Sequence, residues 1–413
     1  MLRRFVPALL LAIGLAAPAC KDADQRAARC AELQGELSRC TGGGFGRLDC
    51  SAVSEGDLER FAELTHGGSC AVVASAMPGD GDLLSATCRM FGVGCVAPAT
   101  PDPVRAPTQY PILLVNGIDT SPLFRWSDRI VDVMREVGGH DVHLATLTPY
   151  QPPRVRAPEL WKRIEEVRRE TGKPRVNLIC HSLGGLDCRY LASPNGLTLD
   201  LGVDTASAVA SITTVGTAHH GTRVADVALG LAPDADSGRL VDDLAGVLGD
   251  WFGDEALQND VHLRDALRAL SIANAPAFND EIVDAPEVFY QSWAGYSRPF
   301  GIASPTHDAL LRELCATDED DGLPGFSKHD YMALVLVPFT DVAGRMKDGG
   351  DVEPNDGLTP VRSARWGTFR GCIPADHMEQ LGARNLPDVN VRNGFDVARF
   401  YANVAQDLAE RGF

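Results

Sequence analysis

Arg175-Val176-Asn177-Leu178-Ile179-Cys180-His181-Ser182-Leu183-Gly184-Gly185 passes from a strand pattern to a helix start across a single serine. Residues 175–180 are the short, β-rich, near-continuous apolar run expected of a strand buried on both faces. The glycines that follow open a helix. A serine on so sharp a strand-to-helix turn lifts its hydroxyl above the carboxyl end of the sheet, and small residues two before and two after it let the turn pack closely. Here the first of these is Cys180 instead of glycine, which the steric logic tolerates because Cys is small.

The flanking sequence repeats the alternation. Tyr110–Val115 is another continuous apolar run, Leu123–Val137 has helical spacing, and Asp141–Leu147 reads as a strand. Pro158 is expected to open a helix that runs to the Gly172-Lys173-Pro174 stop. Ala206–Val215 reads as a fourth strand. Strands alternating with helices of this length predict an α/β domain, with a mainly parallel sheet covered on both faces. The last element, Val391 to Leu408, places Phe395, Ala398, Tyr401, Ala405 and Leu408 on one helical stripe.

A serine hydroxyl is a poor nucleophile until a base takes its proton, and the base needs an orienting acid. With the nucleophile on such an elbow, the fold expected is the α/β-hydrolase, whose order is Ser, then Asp or Glu, then His. His377, in Ala375-Asp376-His377-Met378-Glu379, is the one histidine after residue 329. Asp356, in Asn355-Asp356-Gly357-Leu358-Thr359-Pro360, is the acid candidate. His219 and His220 come too early for that order, and His181 is tied to the nucleophile by sequence. His307 and His329 are the rivals for the base. The oxyanion hole is expected from two backbone N–H groups, those of Ile118 in Asn116-Gly117-Ile118 and of Leu183.

These segments carry a family resemblance. Tyr110-Pro111-Ile112-Leu113-Leu114-Val115-Asn116-Gly117 resembles the opening strand of secreted bacterial triacylglycerol lipases of the Pseudomonas and Burkholderia type. Thr213-Thr214-Val215-Gly216-Thr217-Ala218-His219-His220-Gly221-Thr222 and Tyr290-Gln291-Ser292-Trp293-Ala294-Gly295 are similar to two further segments of that family. Asn355-Asp356-Gly357-Leu358 matches the segment with the family's catalytic acid, and Asp376-His377-Met378-Glu379 the one with its histidine. The resemblance covers about residues 108–410, in the same order. Asn116 stands where the family has His, which leaves the backbone amide available and alters the mouth of the site. The resemblance also implies calcium near the base, held by an acid two residues later and a Gln six residues later. Those positions are Glu379 and Ala383, so Glu379 is the calcium candidate, while the triad itself requires no cofactor.

Composition bounds the rest. The chain has 413 residues, 45% hydrophobic and 23% charged, with a net charge of −18. That acidity argues against nucleic acid and anionic membrane as electrostatic partners and says little about neutral apolar substrates. Arg3 and Arg4, the uncharged stretch Phe5–Ala17 and Ala17-Pro18-Ala19 read as a signal peptide over residues 1–19. Leu15-Ala16-Ala17-Pro18-Ala19-Cys20 resembles a bacterial lipoprotein box. Export follows, with two outcomes open: a lipoprotein anchored through Cys20, or a secreted or periplasmic protein. Six cysteines (Cys30, Cys40, Cys50, Cys70, Cys88, Cys95) mark residues 20–96 as a mostly helical, disulfide-stapled region. Residues 97–107 form a proline-rich linker. Residues 108–413 make the hydrolase domain, with a lid-like segment at 224–281 and a polar insertion at 299–345. Cys315 and Cys372 are a bridge candidate. The lid-like segment reads equally as a mobile amphipathic lid or as a fixed helical cap.

The function expected is an exported serine ester hydrolase, a lipase or carboxylesterase cleaving lipid or other apolar esters. A lipid interface and a folding chaperone are the partners this reading admits. The alternatives are a polyester depolymerase or acyltransferase with the same triad, or a non-catalytic envelope protein using the scaffold for binding.

Overall fold

A computed structural model of the chain describes residues 106–120, 124–231, 261–297, 305–317, 336–346, 352–382 and 397–413, together with Ala28, Arg29, Glu32, Met332 and Phe395. The chain divides into two units, Met1–Pro103 and Val104–Phe413. In the first unit the described residues Ala28, Arg29 and Glu32 are helical and exposed. The signal segment, Cys20, the six early cysteines and residues 97–105 of the linker lie outside the described residues. Among the described residues, no helix is long and apolar enough to cross a membrane.

The second unit is built on six strands: β1 (Ile112–Val115), β2 (Val142–Ala145), β3 (Val176–His181), β4 (Val209–Val215), β5 (Phe289–Gly295) and β6 (Thr368–Ile373). Their order is β2-β1-β3-β4-β5-β6, and every neighbouring pair is parallel. Both faces must therefore be covered by the crossover segments. This is why β1, β3 and β4 are buried at every position, with no polar-out alternation. The order of the strands reverses at β1 and β3, so their carboxyl ends flank the crevice where ligands bind in open α/β sheets.

The helices that matter here are α1 (Asp128–Asp132), α2 (Pro153–Thr171), α3 (Leu183–Ala192), α4 (Arg223–Ala228), α5 (Val261–Ala269), α6 (Val337–Ala343) and α7 (Val397–Glu410). Helix α2 starts at Pro153, five residues before the expected Pro158. Pro153 occupies the first turn, where no N–H is needed. Pro158 sits inside the helix at an exposed position, as does Arg154, the residue four before it. Leu160, Ile164 and Val167 form the buried stripe that packs α2 onto the sheet. Gly172, in the left-handed region at φ 69°, ends the helix as expected. The fourth strand is shorter than read, because Ala206–Ala208 form a 3-10 turn before it. On α7, Ala398, Tyr401, Ala405 and Leu408 are all buried, and Phe395 lies buried just before its start.

Two disulfides lie in this unit, both with buried cysteines. Cys315–Cys372 matches the sequence candidate. Cys180–Cys188 had no place in the sequence reading and ties the strand end of the elbow to α3.

Candidate active site

Ser182 sits between β3 and α3 at φ 54° and ψ −129°, a backbone conformation that a non-glycine residue adopts only when its surroundings enforce it. Three hydrogen bonds hold the turn. The Ser182 N–H donates to Val215 O (3.0 Å), and Ser182 O accepts from the Gly185 N–H (3.0 Å) and from Thr217 Oγ1 (2.8 Å). Gly184 is required by close approach: a Cβ there would lie 2.5 Å from the Asn116 carbonyl oxygen. Gly117 is required from the other side, since its Cβ would lie 3.0 Å from Ser182 Cβ. The loop after β1 thus rests directly on the serine.

The turn brings Ser182 Oγ to 2.9 Å from His377 Nε2, and His377 Nδ1 lies 2.8 Å from Asp356 Oδ2. Three segments far apart in sequence meet because β3, and the loops beyond β5 and β6, end on the same edge of the sheet. Asp356 is fully buried. Its Oδ1 accepts from the Leu358 and Thr359 N–H groups, and its Oδ2 also accepts from Gln380 Nε2 at 2.8 Å. A carboxylate with this many donors is fixed in orientation and satisfied in charge. Gln380 was missed by the sequence reading. Its signal was local: three residues after His377 on a tight turn, it faces the same carboxylate. Tyr401 of α7 donates to the Gln380 carbonyl oxygen at 2.9 Å and so braces the turn from behind.

His181 is also buried, its ring 4.6 Å from that of His377. Burial, reinforced by His377, holds its imidazole well below the ordinary histidine range. His219 is likewise kept neutral by burial and by the nearby Arg189 cation, and it contacts Thr214 Oγ1 at 3.0 Å. Of the rivals for the base, His307 lies on the helix Pro305–Leu314 and His329 lies outside the described residues.

Asn116, at the position where the resemblance leads to His, is buried and holds the loop together. Its Nδ2 donates to Gly117 O (2.9 Å), and its Oδ1 accepts from the Leu147 N–H (2.7 Å). Its own carbonyl accepts from Arg156 Nη2 at 2.9 Å. Arg156 in turn pairs with Asp187 at 3.0 Å, both fully buried. Burial dominates this pair: it pushes the Asp187 carboxyl up to about 7 and the Arg156 guanidinium down, each offset by the other's charge.

Ser182 and His377 open into a pocket of about 810 Å³, counting the space open to solvent. Its walls are apolar. Val224, Ala225, Leu267 and Leu270 come from the lid-like span, whose residues 232–260 lie outside the described residues. Leu336 and Phe339 come from the span read by its charges as a polar insertion, and both are fully buried. The charges of Asp318–Asp321 hid these apolar positions in the sequence average.

The calcium candidate Glu379 lies on the short turn Glu379–Leu381 that follows His377. The Glu379 carboxylate accepts from the Asp376 N–H, while Asp376 Oδ1 accepts from the Met378 and Glu379 N–H groups, a reciprocal turn cap. Ala383 has no ligating atom in its side chain. Among the described residues no group of three or more His, Cys, Asp or Glu stands together for an ion.

The triacylglycerol lipase of Pseudomonas fragi is 30% identical over 259 residues, which make up 54% of this chain and 82% of that protein. The chain belongs to the triacylglycerol lipase family. Triacylglycerol lipase 2 of Saccharomyces cerevisiae is 25% identical, and the match covers 62% of this chain and 63% of the yeast protein, just under two thirds of its length. The triacylglycerol lipase of Burkholderia plantarii is 30% identical over 186 residues, 42% of this chain and 48% of its own. Among solved structures, lipase 1 from Pelosinus fermentans aligns with a TM-score of 0.46 and 18% identity over 73% of this chain and 99% of that one. No family model matches the chain. As a lipase-family member it has the parallel-sheet α/β-hydrolase fold that the elbow sequence predicts.

Proposed function

We propose that this protein is an exported serine ester hydrolase that cleaves lipid or other apolar carboxylic esters. The observation that carries the reading is the unbroken chain Asp356–His377–Ser182 at the mouth of an apolar pocket. His377 Nε2 takes the Ser182 proton as Oγ attacks the ester carbonyl, and Asp356 holds the imidazole by its Nδ1 and offsets the charge it gains. The oxyanion of the tetrahedral intermediate is met by the N–H groups of Ile118 and Leu183. His377 then protonates the leaving alcohol, and a water activated by the same base releases the acid from the acyl-enzyme. The apolar side chains Phe124, Val224, Leu267, Leu270, Leu336 and Phe339 in the pocket walls support an acyl chain as the bound part, since an apolar chain packs on them without leaving buried polar groups unpaired.

A fluorophosphonate ester should label the wild type at Ser182 and leave Ser182→Ala unlabelled and without hydrolysis. Hydrolysis by Ser182→Ala at a near-normal rate would end the proposal, and an unlabelled wild type would favour a binding scaffold. Rates over p-nitrophenyl esters of increasing chain length separate a lipase from a short-chain esterase. Export rests on the residue 1–19 pattern, and detergent-phase partitioning of wild type against Cys20→Ser separates a lipoprotein from a secreted protein.

A further inference from the structure

We propose that Tyr150 is a positioning residue for the oxyanion loop, acting through Ile118 and Asp119; this rests on the serine-hydrolase reading above. Tyr150 has φ 60°, and among the described residues the one other non-glycine residue with positive φ is Ser182 itself. An aromatic residue is disfavoured in that region and persists where its surroundings over-determine it. Two of its hydrogen bonds reach one loop. The Tyr150 N–H donates to Ile118 O at 2.9 Å, and its hydroxyl donates to Asp119 Oδ1 at 2.6 Å. Asp119 Oδ1 also accepts from the Thr120 N–H, and Tyr150 packs beside Ile118 against the apolar cluster around Leu183.

The loop gripped in this way is the one that rests on Ser182. Gly117, Ile118 and Asp119 line the pocket with Ser182 and His377. The Gly117 carbonyl is taken by Asn116 Nδ2, so the N–H of the same peptide unit, that of Ile118, faces the opposite way. Tyr150 fixes the next peptide unit through its carbonyl. Asn116 and Tyr150 therefore constrain the planes on either side of Ile118, which sets the direction of its amide before substrate arrives. Such pre-arranged donors act on the transition state more than on the bound substrate. Burial and the Asp119 carboxylate both raise the Tyr150 phenol, so it remains a donor throughout the pH range of ester hydrolysis.

Tyr150→Phe in the full chain removes the hydroxyl and keeps the ring and the N–H. With a soluble p-nitrophenyl ester, kcat should fall about tenfold, the effect of one lost hydrogen bond, with KM within about twofold. Affinity for an alkylboronic acid, which forms a tetrahedral adduct on Ser182, should weaken by about the same factor as kcat. Asp119→Ala removes the acceptor and should give the same pattern, with the double variant falling no further than either single one. Unchanged kcat and boronate affinity in Tyr150→Phe would overturn the proposal, as would additive losses in the double variant. Failure of the wild type to react with a fluorophosphonate would instead overturn the hydrolase reading, so the two failures are distinct.

Discussion

Arg156→Met tests the load placed on the buried pair beneath the oxyanion loop. Arg156 and Asp187 are both 0% exposed and lie 3.0 Å apart, so removing the cation leaves a carboxyl in the core without its counter-charge. Breaking a buried pair on one side costs about 3–5 kcal/mol. At roughly 2 °C per kcal/mol for a domain of this size, the melting temperature should fall by about 6–10 °C. The cost should depend on pH, and its sign follows from linkage. Burial pushes the Asp187 carboxyl up to about 7 in the folded protein, above its unfolded value, so this group's contribution declines as pH rises and levels off near there in the wild type. Without Arg156 its folded value moves higher still. Above pH 7 the variant should therefore go on losing stability from this group as pH rises, a loss the wild type does not share. Arg156→Met/Asp187→Leu removes both charges and should recover most of the melting temperature. It still leaves the Asn116 carbonyl without its 2.9 Å donor, so kcat should stay about tenfold low. Differential scanning fluorimetry at pH 7 and 9, with ester hydrolysis on the same samples, reads all of this. A drop under 2 °C, or an equal drop at both pH values, would refute the reasoning.

Three further outcomes are expected. Asp356→Asn keeps the shape of the site but changes the partner of His377 Nδ1, and kcat should fall by on the order of 10⁴-fold with the fold retained, read as hydrolysis beside circular dichroism; a loss under tenfold would remove Asp356 from the triad. His181 and His219 are buried neutral, so below about pH 6.5 the unfolded chain binds protons that the folded chain does not. Stability is lost as pH falls, and because Asp187 works in the opposite sense the net slope should be about 1.4 kcal/mol per pH unit between pH 6 and 5; a flat melting profile there would contradict it. Cys315–Cys372 spans a sequence separation of 57 and Cys180–Cys188 one of 8, so on loop entropy their loss should cost about 4 and about 2–3 kcal/mol respectively. Paired Cys→Ala variants compared by thermal unfolding check the ranking, and a larger effect from the short loop would show that Cys180–Cys188 works by holding the elbow in place.

Some of this protein is written in short stretches of sequence. The run Val176–Ile179 with Cys180, Ser182 and Gly184 is enough for a strand, a strained turn and a helix, because each depends on local sterics: apolar continuity, a small residue two before the serine, and glycine two after it where a carbonyl approaches to 2.5 Å. Chain order then makes His377 the base candidate, with His307 and His329 as rivals, and Asp356 the acid candidate; the distances among Ser182, His377 and Asp356 belong to the tertiary structure. The ends of elements were less legible. Pro153 and Pro158 are both compatible with a helix start, and it is the burial of Pro153, Arg156 and Ala157 in the folded domain that accompanies a start at the first one. What tertiary structure alone decided are contacts between segments whose spacing in sequence carries no periodic signal. Gln380 reaches Asp356, Arg156 reaches both Asp187 and the Asn116 carbonyl, and Tyr150 grips Ile118 and Asp119 across about thirty residues. Leu336 and Phe339 became pocket wall although their span reads as charged. Local sequence specifies backbone shape through sterics, whereas the partners of a polar or apolar side chain are set by which loops the parallel sheet delivers to the same edge.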